Sequence, residues 1–440
     1  MDRRRFLETS LLAAGAAALR PWDAAAADPA MIGIQVGAVS FVDEGTERVL
    51  DGFRDMAGIN TLFLATFTYG RGIAGRQPRG NPLPDHGRQE YDDNFHGGNF
   101  ATPHPQFYRD TSIAPEKAPD HPGYDVIADV LPAARKRNMK VICWFEDVFA
   151  RDVKGLDKAV EIDLHGKPAT RVCMRNPNTR NFWLALVEDY LRSYDVDGLM
   201  WGSERQGPLD NAIGANHGGR GNPATVGCFC TYCLEAARKA GVDVNRARDG
   251  YTSLEAWVTS LRAGQRPADG AFVTFWRILV EHPEVLAWER LWNEALHDTY
   301  REMYRKAHEI TPAKGIGWHI WHNNSFSPFY RAEQNYAEFS AYSDFLKVVM
   351  YNNSGGPRLA QYVRNVNSTL FADLTPEQTL ELTYRLQQYG SEQTLDRIPH
   401  EGLSADYVRR ETRRAVAGVS SKVKIWPGID IDIPTGPNEK

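Results

Sequence analysis

The fold is decided by a stretch that runs CMRNPNTRN at 173–181, DGLMWGSERQG at 197–207 and GCFCTYC at 227–233. Apolar residues recur at helical spacing between the first two motifs, which predicts an amphipathic helix there. Residues 196–201 form a short apolar strand, and Glu204 follows the carboxyl end of that strand. An α/β barrel places its catalytic groups at this position, so the stretch predicts one strand–helix unit of such a barrel with a carboxylate at its mouth.

The rest of the chain repeats this alternation of strands and helices. Six more apolar or β-branched segments predict parallel strands at 32–41, 60–69, 139–149, 315–321, 345–351 and 422–433. Helical periodicity appears between them at 46–57, 124–137, 376–389 and 405–416. Polar residues gather after the strands, and no Gly-rich nucleotide loop follows the first strand. The pattern therefore favours an α/β fold of the (β/α)8 TIM barrel type over a doubly wound sheet.

Only seven strands can be counted before the chain stops at Lys440. Either one strand lacks a recognisable pattern, or the sequence is truncated and the last strand–helix unit is missing; we expect truncation. The barrel is predicted to occupy residues 31–440. It would carry a long loop rich in Gly, Pro and His at 70–123 and a helical insertion at 252–310.

Composition and the first residues limit the partners and the location. With 51 basic and 56 acidic residues the net charge is −5, and no apolar run after residue 30 is long enough to span a bilayer. We therefore expect neither nucleic-acid binding nor stable membrane insertion. Residues 1–27 combine an arginine-rich start, an apolar run and an alanine-rich end, which predicts a signal peptide. Arg4-Arg5-Phe6-Leu7 resembles a bacterial twin-arginine signal and predicts a periplasmic or secreted protein, with an ordinary secretory signal as the alternative.

The cysteines predict a metal site. Cys228, Cys230 and Cys233 provide three thiols within six residues, and Cys173 precedes the helix and strand that lead to them. Four thiolates are a common tetrahedral site for zinc, so we expect these four residues to bind a structural Zn²⁺. Cys143 lies inside an apolar strand and is expected in the core. In an exported protein the alternative is a disulfide, such as Cys228 with Cys233, and a free thiol.

The order C-x-x-N-P, helix, strand with Trp, terminal Glu and C-x-C-x-x-C resembles glycoside hydrolase family 42, the β-galactosidases of clan A. The resemblance implies a zinc site beside the barrel mouth, Glu204 as the general acid/base, and a homo-oligomer such as a trimer. More loosely, the whole chain resembles the hypothetical glycosyl hydrolase-like barrels. Three features depart from family 42. Ser203 replaces an Asn, residues 211–222 lengthen the spacing to the cysteines, and the seventh strand lacks the catalytic Glu.

Glycoside hydrolysis requires two carboxyl groups that flank the scissile bond. Glu204 is the candidate acid, and its alternative role is a surface glutamate paired with Arg205. Asp432 is the first candidate for the second carboxylate and Asp430 the next, because residues two apart on a strand point to the same face. Structural salt bridges are the alternative for both aspartates.

Polar and aromatic residues after the other strands are candidates for sugar binding. Amides and imidazoles suit polyhydroxyl ligands, and aromatic rings stack on sugars. The candidates are Glu146, Asp147, Trp201, His319, Trp321, His322, Asn323, Tyr351 and Asn352. The alternative is that these residues face helices and loops and contact no ligand.

The sequence thus predicts an exported glycoside hydrolase that acts on a carbohydrate with paired carboxylates at the C-terminal face of a TIM barrel. Two alternatives stay open. One is a metal-dependent sugar isomerase, epimerase or lyase, with His319, His322 and either Glu146 or Asp147 as ligands. The other is a carbohydrate-binding barrel without turnover, which the missing glutamate on the seventh strand leaves open.

Overall fold

The structure, a computed structural model, describes residues 30–70, 76–77, 79, 88, 90–390 and 392–430. Two predicted features lie outside these residues, namely the signal peptide at 1–27 and Asp432. Within the described ranges, no helix is both long and apolar enough to cross a membrane.

The sheet has the topology of a barrel. The described residues form strands β1 (Gly33–Val36), β2 (Thr61–Thr68), β3 (Gly98–Asn99), β4 (Lys140–Glu146), β5 (Val160–Ile162), β6 (Pro168–Val172), β7 (Gly198–Gly202), β8 (Gly315–Ile320), β9 (Phe345–Val349) and β10 (Lys424–Gly428). Seven of them pair in parallel in the order β1-β2-β4-β7-β8-β9-β10, while β3 pairs with the end of β2 and β5 pairs with β6. Strand order equals chain order, as in a (β/α) barrel, so the predicted fold class is confirmed with seven parallel strands.

Helices connect these strands. In the described part of the chain they are α1 (Ala38–Glu44), α2 (Thr46–Ala57), α3 (Val126–Arg135), α4 (Pro177–Ser193), α5 (Pro208–Ile213), α6 (Thr231–Lys239), α7 (Val244–Arg262), α8 (Ala271–Glu281), α9 (Glu284–Ile310), α10 (Asn323–Phe326), α11 (Pro328–Glu333), α12 (Tyr336–Phe339), α13 (Asn352–Asn367), α14 (Pro376–Gln387), α15 (Ile398–Glu401) and α16 (Ala405–Gly418). Local capping explains several starts: the side chains of Asp125 and Asn176 accept from backbone N–H groups of α3 and α4. Thr375 and Gln378 form a reciprocal capping box at α14.

The interior of the sheet is filled by alternate residues of its strands. Its apolar layers contain Phe63, Ala65, Ile142, Trp144, Met200 and Phe345. Trp426 of β10 packs on this core, with its ring centroid 4.0 Å from that of Phe345 and 5.6 Å from that of Phe63. Gly317 leaves the room that the Phe345 ring occupies, because an added Cβ would lie 2.4 Å from that ring. The strands therefore surround a packed core rather than a channel.

Strand register aligns one more layer at the carboxyl ends of the strands. Neighbouring strands each contribute one residue to it, namely Glu146, Gly202, His319, Lys347 and Trp426. Side chains that are far apart in the sequence thereby meet at one mouth of the barrel.

Some local structure differs from the sequence pattern. β1 is shorter than the strand predicted at 32–41, because the second half of that segment forms α1. The pattern also fails to predict α13, because Gly-Gly-Pro at 355–357 opposes a helix. Close packing requires glycine there: a Cβ on Gly356 would lie 2.0 Å from the carbonyl oxygen of Ile398 in α15. Tertiary packing thus takes precedence over helix propensity.

Three carboxyl groups lie together among the helices outside the sheet, on Asp210 of α5, Glu289 of α9 and Glu333 of α11. The backbone N–H of Leu209 donates to Glu289 Oε2 at 2.6 Å, whereas neither oxygen of the fully buried Asp210 meets a donor among the described residues. Desolvation raises the pKa of all three groups, that of Glu333 to about 7, and repulsion from Glu333 raises the pKa of the other two further. The folded protein therefore holds these protons more tightly than the unfolded chain does.

We expect the free energy of unfolding to fall as the pH rises from about 4.5 to about 7, because the unfolded chain releases these protons at lower pH than the folded protein. Glu289→Gln should reduce this fall and stabilise the protein at pH 8 by about 1–3 kcal/mol, since an amide stays neutral beside Asp210 and Glu333 without binding a proton. Urea unfolding at pH 5 and pH 8 measures both values. The exposed Glu377→Gln on α14 is the control, and an unfolding free energy equal at both pH values in the wild type and in Glu289→Gln would contradict the expectation.

Candidate active site

The carboxyl ends of β4, β7, β8 and β9 place charged side chains at one mouth of the barrel. Glu146 is the last residue of β4, and Glu204 lies two residues beyond the end of β7. His319 and Lys347 point into the same mouth from β8 and β9, in register with each other. The site is therefore built from residues of four different strand–helix units.

Glu204 is held by a histidine. Its Oε1 lies 3.0 Å from Nε2 of His319, whose ring lies parallel to the Trp144 ring, with an interplanar angle of 12°. The Glu204 side chain is 44% exposed and that of His319 is 5% exposed. Desolvation raises the pKa of Glu204, but the hydrogen bond and charge of His319, together with the charge of Arg358, more than offset it and hold the pKa below its ordinary range. Glu204 is therefore an ionised carboxylate at neutral pH.

Glu146 is in the opposite state. Thr68 Oγ1 donates to Glu146 Oε2 at 2.6 Å and accepts from the backbone N–H of Gly70 at 2.9 Å. Desolvation, reinforced by repulsion from Glu204, raises the pKa of Glu146 to about 8, although the Thr68 bond and the charge of Lys347 oppose the rise. The mouth thus holds one protonated and one ionised carboxyl group at neutral pH.

Lys347 is a buried amine that the sequence analysis missed. Its Nζ donates to the hydroxyl of Tyr351, which donates to Gln35 Oε1 at 2.5 Å. Desolvation lowers the pKa of Lys347 to about 7. The signal was present in the sequence, because alternation along β9 puts Lys347 on the same face as Phe345, which packs in the interior.

Imidazole, indole and guanidinium groups line the rest of the mouth. We call these side chains, His217, Trp321, His322 and Arg358, the wall of the mouth. The Trp321 ring lies 4.9 Å from His217, and the His322 Nε2 lies 2.8 Å from the hydroxyl of Tyr407. Arg358 of α13 donates to His322 Nδ1 at 3.3 Å. Desolvation, followed by the charge of Arg358, lowers the pKa of both histidines, that of His217 to about 4. Both imidazoles are therefore neutral at neutral pH.

Several predicted site residues lie elsewhere. Trp201 is fully buried on the helix-facing side of β7, with ring centroids 5.3 Å from Trp183 and 4.9 Å from Tyr300. Trp201 therefore does not face the mouth, where we expected it to contact substrate. Asn323 is also fully buried, and it donates to the carbonyl oxygen of Ala215 at 3.0 Å. It lies behind the wall rather than on it.

Asp430 serves the start of a helix. Its two carboxylate oxygens accept from the backbone N–H groups of Asn353 at 2.9 Å and Ser354 at 2.7 Å, in the first turn of α13. Asn352 lies in the same turn and donates to the Asn353 side chain. Asp430 thus fixes α13, which carries Arg358, and both of its oxygens already have partners. Its predicted role as a catalytic carboxylate has no support in these contacts.

Asp147 points away from Glu146 and forms a buried ion pair. Arg205 Nε lies 2.5 Å from Asp147 Oδ2, and Ser203 Oγ donates to the same oxygen at 3.0 Å. Arg205 also donates to the carbonyl oxygen of Val172 at 2.6 Å. Both charged side chains are at most 4% exposed. The pair therefore anchors the loop that carries Glu204, and Asp147 faces Arg205 and Ser203 rather than the mouth.

The four predicted ligand cysteines do come together. Ligand atoms of Cys173, Cys228, Cys230 and Cys233 all lie within 4.8 Å of one another, and the Sγ atom of Cys173 lies 3.7 Å from that of Cys230 and 3.5 Å from that of Cys233. All four are free thiols, so the alternative of a disulfide is not seen. Tetrahedral zinc with Zn–S bonds of 2.3 Å separates its sulfurs by roughly 3.8 Å, which these distances fit.

No protein-family model and no curated protein matches the sequence. Among solved structures, the chain is similar to the glycoside hydrolase domain of PgaB (BpsB) from Bordetella bronchiseptica, with 14% identity and a TM-score of 0.44 over 92% of this chain and 94% of that one. It is also similar to α-L-fucosidase isoenzyme 2 from Paenibacillus thiaminolyticus (12% identity, TM-score 0.41, 75% of this chain and 37% of that one). A third is a β-galactosidase from Bacillus circulans sp. alkalophilus (12%, 0.41, 90% and 50%).

The chain spans half or less of the length of the fucosidase and of the galactosidase. At these identities and TM-scores the likeness says nothing about activity. Evidence on function has to come from the side chains at the barrel mouth.

We expect Asp147→Ala to lower the free energy of unfolding by about 1–3 kcal/mol, because the buried Arg205 guanidinium loses its nearest charge partner and keeps the Val172 carbonyl and, at 3.8 Å, Glu161 Oε1. Asp152→Ala, an exposed aspartate in the following loop, is the control and should change stability by less than about 0.5 kcal/mol. Urea unfolding at pH 7 measures both. A loss below about 1 kcal/mol for Asp147→Ala would mean that the pair does not anchor this loop.

Proposed function

We propose that the protein is a glycoside hydrolase in which Glu146 is the general acid and Glu204 is the ionised carboxylate that attacks the anomeric carbon or activates water. Glycosidases need one carboxyl group that carries a proton to the leaving oxygen and one that does not. The arrangement that carries the proposal places Glu204 against the His319 ring nitrogen at 3.0 Å and buries Glu146 beside Thr68, which lowers the pKa of Glu204 and raises that of Glu146. Environments that separate the pKa values of paired groups in this way are how one site obtains an acid and a base at pH 7.

The proposed roles differ from those implied by the resemblance to family 42, which makes Glu204 the acid/base. His319 favours the anionic form of Glu204, because Nε2 donates to the carboxylate. A general acid needs surroundings that favour the protonated carboxyl group instead. Glu146 meets that need, and it also supplies the second carboxyl group that the seventh strand was expected to provide.

The surroundings of the two glutamates support a sugar as the ligand. Tyr351, His217, Trp321 and the Trp144–His319 stack offer rings and neutral hydrogen-bonding groups around the mouth. Such side chains bind hydroxyl groups and the apolar faces of sugar rings. A binding barrel without turnover would need the same wall, but it would not need one protonated and one ionised carboxyl group.

A metal-dependent isomerase, epimerase or lyase has less support. His322 is engaged by Tyr407 and Arg358, and Asp147 by Arg205. Over the ranges that the structure describes, the cysteine cluster is the one group of His, Cys, Asp or Glu side chains whose ligand atoms lie close enough together to bind a metal ion.

We expect Glu204→Gln to lower kcat/KM about 10³-fold or more on every substrate, because no carboxylate then reaches the anomeric carbon. Glu146→Gln should lower it about 10²–10⁴-fold for disaccharides, whose leaving oxygen needs a proton. The same variant should be far less impaired on dinitrophenyl glycosides, because their dinitrophenolate leaving group departs without a proton. Steady-state kinetics on a panel of both substrate types, at neutral pH, measures these effects.

Glu377→Gln, an exposed glutamate on α14, should keep wild-type rates in these assays. Wild-type activity on disaccharides should decline as the pH rises through about 8, since Glu146 must stay protonated. The residual activity of Glu146→Gln on activated substrates should lack this decline. Wild-type rates in Glu204→Gln, or equal losses on both substrate types in Glu146→Gln, would exclude the proposed roles.

We further propose that the cysteine cluster binds a structural zinc ion and that the protein is exported. Zinc on Cys173, Cys228, Cys230 and Cys233 would cross-link the end of the β5–β6 hairpin to residues 228–233, which include the first turn of α6. Two contacts support this: the backbone N–H of Ile162 donates to the Cys228 sulfur at 3.5 Å, and Phe229 donates to the Ile162 carbonyl at 2.7 Å. Export is supported by the sequence of residues 1–27.

We expect the purified protein to contain about one zinc per chain, since four thiolates form a closed tetrahedral site. Cys230→Ser should lose the metal and lower the melting temperature, because the cross-link is broken. Elemental analysis and thermal unfolding measure the two effects. The fifth cysteine provides the control, since Cys143→Ala in the core of β4 should keep its zinc. Protein prepared with zinc in the medium that binds none would refute the assignment.

A further inference from the structure

Two cations at the barrel mouth make no ion pair within the described part of the chain. Arg358 is half-buried, and its side chain donates to the neutral His322. Lys347 is 5% exposed and donates to the hydroxyl of Tyr351. Both lie near the same ring, since Lys347 Nζ is 4.3 Å and Arg358 Cζ is 5.8 Å from the centroid of Tyr351. We call these two residues the cationic pair.

The carboxyl groups near the cationic pair do not neutralise it. Asp430 is engaged by the backbone N–H groups of α13, and Glu146 is protonated at neutral pH. Among the residues that the structure describes, Glu204 is the remaining carboxylate, and its hydrogen bond goes to His319. At pH 7 the charged Arg358 and the partly protonated Lys347 therefore face one ionised carboxylate among the described residues of the mouth. Partly buried charges without partners are costly, and an anion bound between them would remove part of that cost.

Hydrogen-bond donors also outnumber acceptors at this place. A guanidinium carries five N–H donors and an ammonium carries three, yet the side chains of Arg358 and Lys347 each donate one hydrogen bond to the residues that the structure describes. Trp144 Nε1, an N–H donor, is buried at the same mouth without a partner among the described residues. A carboxylate or sulfate offers several acceptor lone pairs to such donors, and the planar fork of arginine matches a carboxylate in shape.

We infer that the barrel mouth contains a subsite for an anionic sugar, in which Arg358 and Lys347 bind the carboxylate of a uronic acid or the sulfate of a sugar sulfate ester. The inference rests on the proposed glycoside hydrolase and names its substrate class, which is acidic rather than neutral oligosaccharide. The subsite lies on the β9–α13 side of the mouth. Glu146 and Glu204, on the β4–β7 side, then act on the neighbouring glycosidic bond.

Calorimetric titration of the full mature chain tests this inference. The probes are glucuronic acid, its uncharged methyl ester, and glucose 6-sulfate. We expect at least one of the two anions to bind about tenfold or more tightly than the methyl ester, because charge-assisted hydrogen bonds form only with an anion. Arg358→Gln and Lys347→Met should each remove most of that preference.

Arg364→Gln, an exposed arginine on the same helix, is the matched control and should keep the full preference. Arg358→Lys retains a positive charge without the planar fork, so this variant should keep part of the preference for the anion. Thermal unfolding of each variant establishes that it is folded. Tighter binding of the glucuronate supports a uronic acid subsite, and tighter binding of the sulfate supports a sulfated sugar. Equal affinities for the anions and the ester, or a preference that persists in folded Arg358→Gln and Lys347→Met, would overturn the inference.

These outcomes are separable from those that test the proposed function. Preference for an anion that depends on the cationic pair, without hydrolysis of any glycoside, would support the subsite and reject the hydrolase. Hydrolysis of neutral glycosides that depends on Glu204, without preference for an anion, would do the reverse.

Discussion

Desolvation at the carboxyl ends of the parallel strands is the constraint on which the site depends. Strand register brings Glu146, His319 and Lys347 into one layer directly above an apolar core. Burial there disfavours charge, so the pKa of the acid is raised and the pKa values of the two bases are lowered. Glu204 departs from this rule because it lies beyond the end of its strand and accepts a hydrogen bond from His319. Two chemically identical side chains thereby acquire opposite protonation states.

The position of Glu204 depends on a scaffold outside the barrel. Arg205, the next residue, is tied to Asp147 and to the carbonyl oxygen of Val172, which directly precedes Cys173. The cysteine cluster is thus connected to the loop of Glu204 by the hydrogen bond from Arg205 to Val172, because Arg205 follows Glu204 and Val172 precedes Cys173. A metal bound there would act on the site by fixing this loop, without contact with substrate.

The sequence pattern predicts the parallel strands, the placement of Glu204 at a barrel mouth, and the gathering of the four cysteines, because each rests on local spacing. The direction in which a side chain points is harder to predict. Trp201 lies in β7 and Asp147 directly follows β4, but both side chains point away from the mouth. The role of Asp430 could not be predicted, because its carboxylate binds the first turn of α13. That helix begins with Asn-Asn-Ser-Gly-Gly-Pro, a sequence that does not predict a helix. Lys347 was overlooked because one charged residue in an apolar strand has no motif; only strand register shows that it shares a layer with His319.

Titration of the carboxyl carbons would show whether the two glutamates differ in protonation. NMR of protein labelled with ¹³C at the glutamate side-chain carboxyl would follow both signals against pH, with Glu146→Gln and Glu204→Gln to assign them. We expect a raised pKa of about 8 for Glu146 and a pKa below the ordinary value of 4.5 for Glu204. Two ordinary values, or a raised value at Glu204 with an ordinary one at Glu146, would mean that the two glutamates do not have the proposed protonation states.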